Sequence, residues 1–175
     1  MADIVLGSGY IYVVELPSSG QVPADGTLEV AANQFGYTKG GATLSYETEY
    51  TEVSDDNGQV KEQFLSSDKM TLKAGALMGK PSDIARICPT AESTTTSGVT
   101  TVKLGGVGND NDKKYVIRFK HKTEPLRVTI VGKNTDGFEL SFAADDGVTL
   151  EPTFTASAMD SQGVLAEIKW GAESE

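Results

Sequence analysis

The chain has one cysteine, Cys88, and one histidine, His121, among its 175 residues. That excludes an intrachain disulfide, which needs two Cys, and a structural zinc site, which needs four Cys or His ligands. No apolar run reaches the roughly 20 residues of a bilayer-spanning helix, and no lipidation signal is legible, so no membrane role is expected. The opening Met1-Ala2-Asp3-Ile4-Val5-Leu6-Gly7 lacks a basic stretch followed by a long apolar one. The expectation is a chain without a Sec-type signal peptide, made and assembled in a cytoplasm. Positive charge is scarce as well: 15 Lys plus Arg stand against 25 Asp plus Glu, for a net charge of -10 and a pI near 4.6. This is the wrong sign for a surface that grips nucleic acid throughout.

With 38% hydrophobic and 23% charged residues, the composition is that of a globular chain, and the length suits one domain over 1–175. The dominant pattern has period two. Ala42, Leu44, Tyr46, Thr48 and Tyr50 alternate with Thr43, Ser45, Glu47 and Glu49, which predicts a half-buried strand. The same beat runs through Met70 to Met78 and through Tyr115 to His121, where Tyr115, Ile117 and Phe119 oppose Val116, Arg118 and Lys120. Strand-forming runs recur at Tyr10 to Leu16, Thr100 to Leu104, Leu126 to Gly132, Phe138 to Phe142 and Val164 to Trp170. Turn residues punctuate them at Asp56-Asn57-Gly58, Asn134 to Gly137, Asp145-Asp146-Gly147 and Asp160 to Gly163.

Eight or nine short, mostly antiparallel strands of this kind predict a mainly β fold, a sandwich or barrel of two packed antiparallel sheets. One stretch alone reads as helical, about residues 82–88: Ser82 caps it, Ile84, Ile87 and Cys88 fall at helical spacing, and Pro89 stops it. Cys88 then reads as a small core side chain. Residues 17–27, 89–98 and 105–114 read as loops.

Charge is segregated. Lys113, Lys114, Arg118, Lys120, Lys122, Arg127 and Lys133 lie within 21 residues that hold one acid, Glu124, whereas Glu47 to Asp56 carries five acids and no base. Separated patches suit the docking of one copy onto the next; solvated strand faces balanced by neighbours in the fold are the other reading.

No catalytic constellation is legible. Gly105-Gly106-Val107-Gly108 lacks the Lys-Ser/Thr of a phosphate loop, the turns at Asp55 to Gly58 and Asp110 to Asp112 lack the twelve-position calcium pattern, and no serine elbow accompanies His121. Glu47 and Glu49 have a carboxylate spacing near that of glycosidases, but no aromatic residues accompany them to hold a sugar. The expectation is a non-enzyme without metal or cofactor.

The order of the segments carries further information. Leu6-Gly7-Ser8-Gly9 opens the first strand, Gly36-Tyr37-Thr38-Lys39-Gly40-Gly41-Ala42-Thr43-Leu44 leads into the alternating one, and Thr71-Leu72-Lys73-Ala74-Gly75 precedes the helix. Arg127 to Thr135, Glu151-Pro152-Thr153-Phe154-Thr155-Ala156, Asp160 and Gly163-Val164-Leu165 follow. Across most of its length the chain resembles the major tail tube proteins of long-tailed bacteriophages.

The resemblance implies a β-sandwich or barrel with a flanking helix, rings usually of six subunits, and stacking of the rings into a tube that conducts DNA. It also implies a tape measure protein and a tail terminator as partners, and a place in the virion tail. Inner tubes of contractile tails, tailocins and secretion systems share this architecture. A non-catalytic binding, decoration or head-tail joining module is the other class that the fold allows. A conduit must not bind its cargo, so the polar face Thr43, Ser45, Glu47 and Glu49 is the expected channel lining. A hairpin arm around 51–66, with Asp55 and Asp56, is expected to meet the basic residues Lys113, Lys114, Arg118, Lys120 and Arg127 of a neighbouring subunit.

Overall fold

The computed structural model describes residues 8–54, 56–57, 61–78, 81–141 and 149–171. Asp55, the turn at Asp145 to Gly147, Leu6-Gly7 and Phe142 lie outside the described residues. The strands are β1 (Gly9–Glu15), β2 (Gln34–Ser54), β3 (Lys61–Met78), β4 (Glu92–Thr96), β5 (Val99–Lys103) and β6 (Tyr115–His121), followed by β7 (Leu126–Asn134), β8 (Leu140–Ser141), β9 (Thr149–Leu150), β10 (Thr153–Ser157) and β11 (Ala166–Trp170). Two short helices, α1 (Asp25–Leu28) and α2 (Ile84–Ile87), complete the framework.

The main sheet closes on itself. Its order runs β10-β7-β6-β1-β2-β3, and β10 pairs with both β7 and β3, all antiparallel, so six strands form a barrel. β9 and β8 extend from β3, and β11 lies beside the first half of β7. The interior is filled by alternate residues of the wall, among them Ile11, Val13, Phe35, Leu72, Ala74, Ile117, Phe119, Val128, Ile130 and Phe154, with Ile87 of α2 packed against them. Closure needs a glycine at one point: a Cβ on Gly132 would lie 2.0 Å from the carbonyl oxygen of Thr155 on β10.

Three expectations change. The first is the alternation of β6, which gives way to nearly continuous burial because a second layer covers the outer face. That layer is led by α1, most of which lies in the 17–27 stretch read as a loop: Leu28 at its end packs on Val116 and Val131, with Val14, Leu16, Val22 and Met159 around them. Residues 89–98 are the second case. They contain β4, whose Thr residues favour extended backbone and pair with β5 across a tight turn in which Ser97 and Gly98 both have positive φ. β4 and β5 form a separate two-stranded sheet, exposed but for the half-buried Val102. The third concerns Cys88, which ends α2 half-buried, its Sγ 3.5 Å from Thr90 Oγ1, rather than in the core. α2 itself lies within the expected helix, after a single tight turn over Pro81–Asp83.

β2 and β3 continue past the barrel. β2 pairs with β1 only from Gln34 to Tyr37, and a bulge at Lys39-Gly40-Gly41, with both glycines at positive φ, then redirects it. Beyond Leu44 and Leu72 the two strands pair only with each other, apart from the contact of Thr71 with β10, out to Ser54 and Lys61. The ten residues from Ser45 to Ser54 carry the hairpin about 30 Å from the wall.

Candidate assembly surfaces

Directly opposed residues of an antiparallel pair share a face. On β2 and β3 the inner face of the barrel, Ala42/Ala74 and Leu44/Leu72, runs on into Tyr46/Met70, Thr48/Asp68 and, past a second bulge, Tyr50/Leu65. Burial stops where the barrel does: Tyr46 is 54% exposed, Tyr50 56% and Leu65 51%. The alternation expected of a half-buried strand is therefore real only as far as Leu44, and beyond it the same apolar face has no cover within the described residues. Tyr46 Oη donates a 3.3 Å hydrogen bond to Asp68 across this stripe.

The opposite face carries Thr43 on the barrel wall and Ser45, Glu47 and Glu49 on the projecting hairpin. Opposite them stand Lys73, Thr71, Lys69 and Ser67. The face is polar and of mixed sign rather than purely acidic. Glu49 accepts a 3.0 Å hydrogen bond from Ser67. Asp56 is exposed near the tip of the hairpin.

The basic segment is spent mostly inside the chain. Arg118, Lys120 and Arg127 line up on the outer face of β6 and β7, Lys169 joins them from β11, and α1 lays Asp25 and the adjoining Glu29 across them. Arg118, 1% exposed, donates through Nε to Thr129 Oγ1 at 2.9 Å and through Nη1 to Asp25 and to Glu29 at 3.2 Å. Arg127 Nε donates to Glu29 Oε1 at 2.6 Å, Lys120 donates to Glu29 Oε2, and Lys169 Nζ lies 3.6 Å from Asp25 Oδ2. Burial alone would raise the Glu29 pKa, but the hydrogen bonds and charges of Lys120 and Arg127 outweigh it and hold the carboxyl below its usual range.

Lys113 binds Glu15 at 2.8 Å, which raises the lysine pKa, and Lys133 lies 3.2 Å from Asp112. Arg118 is therefore covered by α1 on the outer side of the barrel wall, 1% exposed, and its charge is met within the chain. Lys114 and Lys122 are exposed with no carboxylate partner among the described residues. The signal that sequence reading missed is the i, i+4 spacing of Asp25 and Glu29, which sets both acids on one side of a single helical turn.

A second apolar patch lies on β11. Ala166, Ile168 and Trp170 oppose Ile130, Val128 and Leu126 of the core, so they face the barrel's inner side, yet Ile168 is 56% and Trp170 66% exposed. Trp170 is a surface residue, not part of the core. The strand registers place it at the same end of the barrel as the β2–β3 projection. Among the described residues no cluster of three or more His, Cys, Asp or Glu is placed to hold a metal ion. His121 Nδ1 accepts the backbone N–H of Thr123 and of Glu124, at 3.2 and 2.9 Å, and so ties the β6–β7 turn. No described helix is long and apolar enough to cross a membrane.

No protein-family model and no curated protein matches this chain. Among solved structures it is similar to a chain of the virion of a native gene transfer agent particle, with 8% identity and a TM-score of 0.46 over 94% of this chain and 95% of that one. It is also similar to a chain in the tail of an empty gene transfer agent particle of C6 symmetry, with 9% identity and a TM-score of 0.45 over 93% and 96%. At these scores neither likeness decides the role of this chain.

Proposed function

We propose that this protein is a structural subunit of a phage-type tail that assembles with copies of itself into rings, six-membered by the family resemblance, which stack into a tube through which DNA passes. One observation carries this reading: the apolar face of β2 and β3 runs past the barrel as Tyr46, Tyr50 and Leu65, each more than half exposed. A monomer gains nothing from such a stripe, because an open apolar sheet invites association. With no charge between Tyr46, Met70, Tyr50 and Leu65 beyond Asp68, whose carboxylate accepts from Tyr46, the stripe suits burial in a partner.

The polar outer face of Thr43, Ser45, Glu47 and Glu49 suits a channel wall. Its acids are interleaved with Lys69 and Lys73, so it offers DNA no run of cations to bind. Tape measure and tail terminator proteins are the partners expected of such a tube, and the virion tail, assembled in a bacterial cytoplasm, is its location. No catalytic step belongs to this role. The test replaces Tyr46, Tyr50 and Leu65 with Ser together and follows assembly by sedimentation. The variant is expected to keep its folded β signal and stay small at concentrations where the wild type sediments as large particles. Equal sedimentation of the two would contradict the reading.

A further inference from the structure

The end of the barrel away from the projecting hairpin holds a cavity that the assembly proposed above does not use. The registers put Glu15 and Tyr115 at this end, since β2 meets β1 with Gln34 opposite Tyr12 and runs from there past Tyr10 toward the hairpin. Four pieces of chain line the cavity: the end of β1, α2, the start of β4 and the stretch from Asn111 to Tyr115 that leads into β6. Its volume is about 400 Å³, within the range of pockets that take a small molecule. Arg86 Nη2 donates to the carbonyl of Ala32 at 3.0 Å, whereas Nη1 is buried with no hydrogen-bond partner among the described residues. Asp83 Oδ1, at 3.8 Å, balances part of the charge from beyond hydrogen-bonding distance. A buried guanidinium N–H without an acceptor is costly, and such a group calls for an occupant.

The other lining groups select the kind of occupant. Asn111 Oδ1 accepts the backbone N–H of Lys113, and Glu15 Oε2 accepts from Lys113 Nζ, so two acceptors of the lining are taken within the chain. Donors remain in Arg86 Nη1 and in the hydroxyls of Ser93 and Tyr115; burial keeps Tyr115 protonated against the opposing charges of Lys113 and Arg86. Val14, Ala85 and Ala91 add apolar wall. An acceptor-only head on a short hydrocarbon body fits this lining, and a carboxylate is such a head. The ion pairs Arg86–Asp83 and Lys113–Glu15 already stand, which leaves room for one negative charge rather than two.

We propose that this cavity is a binding site for a small aliphatic monocarboxylate, held by Arg86 Nη1 and the hydroxyls of Ser93 and Tyr115, with its hydrocarbon end against Val14, Ala85 and Ala91. The site does not depend on rings or tubes. A ligand there ties α2 and the start of β4 to β1 and β6, and stabilises the fold by its free energy of binding.

Butyrate is the probe, with butyramide as its uncharged isostere and inorganic phosphate as an anion without a hydrocarbon end. Binding to the full chain is read by isothermal titration calorimetry, and Tm is followed at constant ionic strength. The expected result is saturable binding of one butyrate per chain with a rise in Tm, and an affinity at least tenfold lower for butyramide and for phosphate. Arg86→Gln removes the donor and is expected to weaken butyrate at least tenfold. Ser93→Leu fills the cavity from an exposed position and leaves Arg86 in place, so it is expected to keep the fold and lose butyrate as well. Butyramide or phosphate bound as tightly as butyrate would overturn the carboxylate assignment. Unchanged butyrate affinity in either variant would put the binding elsewhere and overturn the site. A wild type with no saturable butyrate binding would leave Nη1 to water and overturn the proposal outright.

Discussion

Glu29 and Asp25 each meet three cations on the outer face of β6, β7 and β11. The two oxygens of Glu29 bind Arg118, Lys120 and Arg127, and together with Asp25 they balance a guanidinium that is 1% exposed beneath α1. Removing one partner of a buried ionic group typically costs about 3–5 kcal/mol, so Glu29→Gln is expected to lower stability by about 3 kcal/mol near neutral pH, measured by urea unfolding. The pH dependence follows from the depressed pKa. A carboxyl held below its unfolded value of 4.5 stabilises the fold fully above that value and loses the contribution as pH falls through the folded pKa. The wild type is therefore expected to lose more Tm than Glu29→Gln does between pH 6 and acid, about in proportion to this one group, and parallel curves would refute the assignment. The partners of Arg118 were not legible in sequence because they are about ninety residues away, in a stretch whose Pro17, Gly20, Pro23 and Gly26 read as a loop. The single helical turn at Asp25 is too short to announce itself by periodicity.

At the level of elements, β1, β6, β7 and β11 were legible because β-branched and aromatic runs bounded by turn residues leave few alternatives. β6 matched its expected bounds of Tyr115 to His121. β10 and β9 were less so: a five-residue and a two-residue strand give too few alternations to count, yet β10 closes the barrel. The alternation of β2 was legible in full, but where burial ends was not, because period two records which side is apolar and not whether the partner belongs to the same chain. The hairpin faces carry a prediction of their own. Glu47→Lys with Glu49→Lys adds two cations beside Lys69 and Lys73, which turns a mixed face into a basic one. If that face lines the channel, tubes are expected to form normally and DNA ejection to slow, since repeated phosphate contacts hold the cargo. Unchanged ejection from the doubly reversed tube would place the channel elsewhere.

For the whole molecule, the distribution of charge bears on the proposed assembly. A net charge of -10 keeps free subunits apart. The cations of the 113–133 segment are largely neutralised at home, by Asp25, Glu29, Glu15 and Asp112, which leaves burial of apolar surface as the main drive of the proposed assembly. The segregation legible in sequence was thus partly the balance of neighbours within one fold, and the exposed aromatics now proposed as the contact surface could not be separated from core by sequence alone. Tube formation by the subunit itself is the claim from which the rest follows. Its most direct measurement is negative-stain electron microscopy of the purified wild-type protein across a range of concentration and salt. Rings or hollow tubes of one uniform width are the predicted result, and dispersed monomers at every concentration would contradict it.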